Sequence, residues 1–96
     1  MFLQLTKAKY IRDFIIEVAF NDGRSGLADL STAIKGSVFE ELRDLNKFSK
    51  FQLDEDFKTI VWQNGADLAP EFIYYCAFKE EPELAEQFKT WGYIAQ

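Results

Sequence analysis

Histidine is absent from this 96-residue chain, and cysteine occurs once, as Cys76. The first absence removes the side chain whose ordinary pKa lies nearest neutrality and the commonest metal ligand. A zinc site with one thiolate and no imidazole would rest on carboxylates, against the usual ligand preference, so no metal site is expected. Nor do Ser25, Ser31, Ser37, Ser49 or Cys76 have an imidazole to take a proton in nucleophilic catalysis. A single cysteine forms no internal disulfide, and MFLQLTKAKY lacks the unbroken apolar stretch of a secretory signal, so a cytoplasmic protein is expected. Even FIYYCAF stops at Lys79, far short of the roughly 20 apolar residues that cross a bilayer. No membrane partner is expected.

Glycine and proline are also sparse. Gly23, Gly26, Gly36, Gly65 and Gly92 fit neither a Walker A loop nor a dinucleotide fingerprint, so no phosphate-bearing cofactor is expected. Bases are outnumbered: the net charge is −5 and the sequence pI near 4.6, a field that repels polyanions, and direct contact with nucleic acid is not expected. The imbalance is uneven. Residues 1–12 hold Lys7, Lys9 and Arg12 with no acid, whereas residues 79–96 carry Glu80, Glu81, Glu83 and Glu86 against Lys79 and Lys89. Asp54-Glu55-Asp56 lacks the calcium-loop spacing, since Thr59 falls where that loop needs glycine, and reads as a solvated hairpin tip. KFSKF, residues 47–51, interleaves cations and rings as a single-strand binder does. Its acidic surroundings make a strand with Phe inward and Lys outward the better account.

What the chain has in excess is aromatic rings: ten Phe, four Tyr and two Trp. They either stiffen the interior or mark a sticky face. Phe14, Ile16, Val18 and Phe20 alternate with other residues at the period of a strand, which ends at the turn-forming Asn21-Asp22-Gly23. Arg24–Leu30 returns antiparallel, and Leu3–Ile11 precedes them as an edge strand guarded by Lys7 and Lys9. Ser31–Lys35 reads as one helical turn stopped by Gly36. Ser37 and Glu40 have capping-box spacing for a helix running to Asn46. Phe51–Leu53 and Thr59–Trp62 make a second hairpin. Pro70 opens an apolar helix over 70–78, and Pro82 opens a last one with Leu84, Phe88 and Trp91 on one stripe, closed by Gly92. The fold class is α+β: an antiparallel sheet of about five strands with helices on one face, in the order β-β-β-α-β-β-α plus a C-terminal helix. Residues 1–78 form one domain and 79–96 a helical extension packed on it.

VWQNGADLAPEF, from residue 61, holds the densest set of special residues. Gly65 suits the positive φ of an Asn-Gly turn, Trp62 can seal the core, and Asp67 can cap the helix start or form a local turn. Together with Asp22-Gly23, Asp29-Leu30, and Phe39, Leu42-Arg43-Asp44 and Phe48, the run Trp62–Tyr74 resembles domain-of-unknown-function family 2442 of bacteria. That family's pattern includes F-x-x-L-R-D-x-x-x-F and W-x-N-G-x-D-L-x-P-E-x-L/I-Y. The resemblance implies a small α+β domain with no assigned activity or cofactor. It also implies an accessory or antitoxin-like setting, because some relatives are encoded beside small toxin-like proteins. The leading expectation is a noncatalytic interaction module whose partner is another small protein or a second copy in a homodimer. The alternative is a small-ligand binder or carboxylate-dependent enzyme with a pocket near Trp62–Glu71. Candidate binding residues are Trp62, Asn64, Asp67, Glu71, Phe88 and Trp91; no catalytic residue is assigned.

Overall fold

The computed structural model describes residues 2–94. Strands β1 (Leu5–Arg12), β2 (Ile15–Phe20) and β3 (Ser25–Asp29) form an antiparallel sheet in that order. Alternation places Ile16, Val18 and Phe20 of β2 in the core and leaves Ile15, Glu17 and Ala19 on the opposite face. The pairing register sets Leu5 beside Phe20, and Ile16 beside Ala28, so neighbouring strands add to the same apolar side. The Asp22-Gly23 turn forms as the sequence predicts, with the Gly23 N–H donating to the Phe20 carbonyl at 3.1 Å. β1 is an edge with two register shifts and exposed Lys7 and Lys9, features that discourage pairing with another sheet.

A second antiparallel pair, β4 (Gln52–Asp54) and β5 (Thr59–Val61), joins the first sheet where the Leu5 N–H donates to the Lys58 carbonyl at 2.9 Å. The α+β class and the element order are those expected. The five strands are divided between two sheets, because only this corner of β1 reaches the hairpin by a backbone bond.

Between the hairpins the sequence predicts one helix over 37–46. The chain makes instead a 3₁₀ turn, Glu40–Arg43, and a one-turn helix, α1 (Leu45–Phe48). A long-range hydrogen bond meets the chain at this break. In an α-helix the Leu42 N–H would bond the Val38 carbonyl. Here Asn64 Nδ2 donates to that carbonyl at 2.9 Å, and the Leu42 N–H goes to Phe39 O at 2.9 Å, the shorter 3₁₀ step. No capping box forms at Ser37. Asp44 then turns extended, and its carboxylate accepts the Asn46 N–H at 3.0 Å, capping α1.

Helix α2 (Pro70–Phe78) begins at proline, as predicted, and packs on β3. After a 3₁₀ turn at Pro82–Leu84, α3 (Ala85–Trp91) lies against α2: Phe88 is buried, with its ring 5.1 Å from Tyr75 and 6.2 Å from Tyr74. Gly92 ends α3 at φ +86°, a left-handed cap that lets the Tyr93 N–H reach Phe88 O at 2.9 Å. The aromatic excess resolves into two interior clusters. Tyr10, Phe14, Phe39, Phe48, Phe51 and Trp62 pack beside α1. Phe20, Phe72, Tyr74, Tyr75, Phe78, Phe88, Trp91 and Tyr93 fill the α2–α3 side. Only Phe2 and Phe57 stay outside and well exposed, so the rings stiffen the interior.

Candidate binding groove

The turn that follows β5 is cross-braced to the segment facing it. The Gly65 N–H donates to Trp62 O at 2.9 Å with Gly65 at φ +90°, a conformation that costs a side-chain-bearing residue. Asn64 Oδ1 accepts the Ala66 N–H at 3.0 Å while its Nδ2 holds Val38 O. Trp62 Nε1 donates to Phe48 O at 2.8 Å, and the Thr59 hydroxyl donates to Leu68 O. These bonds set Trp62–Asn64 opposite residues 37–50 and leave a surface groove between them.

Three adjoining depressions form that groove. The middle one, about 380 Å³, is lined by Glu41, Leu42, Lys47, Lys50, Trp62, Gln63 and Asn64. It shares Glu41 and Asn64 with a second of about 370 Å³ that adds Ser37, Val38 and Glu40. It shares Lys50, Trp62 and Gln63 with a third of about 380 Å³ that adds Gln52 and Val61. Its walls are amides, charges of both signs and a buried indole, with exposed Val38 at one end. Such a surface offers a ligand apolar area together with hydrogen bonds and charge.

Of the six candidate binding residues, Trp62 and Asn64 line this groove and the other four do not. Asp67 is exposed, and its backbone bridges to Val61. The N-cap of α2 is Ala69, with no side-chain cap, so the Asp67 carboxylate does not serve the helix start; the Val61 bridge holds it two residues short. Glu71 lies in the first turn of α2 on the side of Tyr93, whose pKa is pushed up by burial and then by that carboxylate. Phe88 and Trp91 cover α2, with Trp91 5.9 Å from Tyr74. Glu41, Lys47, Lys50 and Gln63 were not among the candidates. The strand expected for KFSKF does not form, since Lys47 and Phe48 belong to α1 and Ser49 and Lys50 to the turn after it, and nothing local in the sequence brings Gln63 opposite the two lysines.

A smaller depression of about 210 Å³ lies between the first hairpin and α3. In its wall the Tyr74 hydroxyl donates to Asp22 Oδ2 at 2.7 Å, and burial followed by this bond pushes Tyr74 up to about 12. On the other face of α2, burial pushes the Cys76 thiol up to about 11, the protonated and unreactive form expected of a core cysteine.

The fold has a counterpart in the crystal structure of "Putative DNA Binding Protein NE0471" from Nitrosomonas europaea, with a TM-score of 0.73 over 98% of this chain at 13% identity. The chain spans 63% of that protein's length, and identity this low shows shared fold alone. A search of curated proteins finds no match. The expected exclusion of nucleic acid as a direct partner is corrected by this neighbour, since a protein of the same fold is named for DNA binding. The physical reason is that net charge is an average over the surface and does not exclude a local basic stretch; on β1 Lys9 and Arg12 are exposed, while Lys7 pairs with Glu17 at 3.5 Å. Among the described residues, no helix is long and apolar enough to cross a membrane. The family model described as protein of unknown function, DUF2442, matches residues 5–79, and the chain belongs to that family.

Proposed function

We propose that the chain is a cytoplasmic, noncatalytic accessory module that receives a polypeptide segment in the groove along Trp62–Asn64. The carrying observation is the groove's form: three open depressions in a row, walled by Gln52, Gln63, Lys47 and Lys50. Side-chain amides present both donors and acceptors, which is what an extended backbone needs from a docking surface. The antitoxin-like role implied by the family resemblance is this same reading with a small toxin as the partner. A carboxylate-dependent site spanning Trp62–Glu71 fits less well, because Asp67 and Glu71 lie outside the groove. Co-purification with mass spectrometry identifies a partner, and titration of that purified partner against Gln63→Arg tests the site. Loss of binding with the fold intact supports the proposal; a partner that binds Gln63→Arg normally refutes it.

A second reading rests on β1. Lys9 and Arg12 are exposed, and the name of the structural neighbour brings DNA into view for this fold. A labelled duplex would then bind with an affinity that falls with salt, the slope rising by about 0.9 per phosphate neutralised. Lys9→Glu with Arg12→Glu would abolish that binding; an unchanged affinity would end this reading.

A further inference from the structure

We infer that the groove holds its segment in one direction, taking an extended peptide with a basic side chain at the Glu40 end and an acidic one at the Lys50 end. This rests on the docking reading and adds to it the chemistry of the occupant. The shared walls order the three depressions: the one bearing Glu40 touches the middle one through Glu41 and Asn64, and the one bearing Gln52 touches it through Lys50, Trp62 and Gln63. No residue is common to the outer two. Charge therefore changes sign along the line. The first depression holds Glu40 and Glu41 with no base, and the last holds Lys50 with no acid.

In the middle, Lys47 Nζ and Glu41 Oε2 stand 3.5 Å apart and largely cancel. Among the described residues Glu40 and Lys50 make no ion pair, and both are exposed. The groove thus ends in two unspent charges of opposite sign. A phosphate backbone, negative throughout, would meet Glu40 and Glu41 unfavourably, and a uniformly basic or acidic peptide would lose one end. A peptide with one base and one acid satisfies both ends, its own charges setting which way it lies, and each exposed pair is worth up to about a fivefold gain in affinity.

The test is selection of a displayed dodecapeptide library on the full chain, followed by affinity measurement on charge variants. Enriched peptides should carry both a base and an acid and should lose binding to Gln63→Arg. Glu40→Lys should favour peptides whose base is replaced by an acid, and Lys50→Glu those whose acid is replaced by a base. Glu40→Gln with Lys50→Gln should keep binding and lose the preference, and circular dichroism checks that each variant folds. Peptides that need Gln63 but show no pairing of a base with an acid would overturn the inference and leave the docking reading standing. Failure to select any peptide sensitive to Gln63→Arg would overturn both. Displacement of selected peptides by a DNA duplex would overturn the inference in favour of a polyanion.

Discussion

Removing Asn64 should uncouple the two walls of the groove, and the cost can be divided between its two hydrogen bonds. Asn64→Ala loses the donation to Val38 O at 2.9 Å and the acceptance from the Ala66 N–H at 3.0 Å. Each is worth about 0.5–1.5 kcal/mol net, and leaving an amide without a partner costs more than the bond itself. Ala66 is 3% exposed, so its orphaned N–H has little water to turn to, whereas Val38 is 48% exposed and its carbonyl can be resolvated. The expected total is about 1.5–3 kcal/mol, with the Ala66 bond the larger share. Asn64→Asp keeps the acceptor and loses the donor, and should cost about 0.5–1.5 kcal/mol. Urea unfolding followed by tryptophan fluorescence measures both, provided the slopes agree. Equal costs for Ala and Asp would refute the division, and an Ala cost under about 0.3 kcal/mol would refute the bracing itself.

Trp62→Ala should cost about 3–5 kcal/mol by emptying a packed aromatic site, and Trp62→Phe about 1–2 kcal/mol, chiefly by orphaning Phe48 O; chemical denaturation checks both. Lys58 sits at φ +57°, a left-handed conformation costly for a side-chain-bearing residue, so Lys58→Gly should stabilise the chain by up to about 1 kcal/mol and raise the urea midpoint. Tyr74 is raised from 10.0 to about 12, so the folded state holds its proton more tightly than the unfolded chain. That contribution is complete below pH 10 and is lost as pH rises through 12; denaturation from pH 8 to 12 should show a shallower alkaline fall in Tyr74→Phe than in the parent. Asp67→Ala should change stability by less than about 0.5 kcal/mol in thermal melts, because its exposed side chain caps nothing.

Legibility in the sequence followed the range of the cause. Val18 and its neighbours show their strand by period alone, and Pro70 and Gly92 mark helix ends by backbone restrictions that act within one residue. The 37–46 region failed for the opposite reason. Its local signals, Ser37 before Glu40, favour a helix, but the Val38 carbonyl is engaged by Asn64, 26 residues further on. Asp67 misled in a similar way: a carboxylate just before Pro70 fits a cap, yet the bridge to Val61 decides where its backbone lies. The groove was half visible. Trp62 and Asn64 stood out by residue type, whereas Glu40, Lys50 and Gln63 are ordinary surface residues until the turn brings two separate segments face to face.

The family pattern and the groove divide the same stretch of chain between them. Residues the pattern names are spent on bracing: Tyr74 holds Asp22 across 52 positions, Trp62 holds Phe48 O, Asn64 holds Val38 O, and Arg43 donates to Ser31 O and Ile34 O at 2.8 and 3.2 Å. The residues that give the groove its charge and hydrogen-bonding character fall on positions the pattern leaves open. Glu40 and Glu41 are the two free places between Phe39 and Leu42, and Gln63 is the free place between Trp62 and Asn64. A chain can therefore keep every brace, and with it the groove's shape, while changing what the groove accepts. Under the docking proposal the braces set the groove's shape, and the choice of occupant lies with Glu40, Lys50 and Gln63.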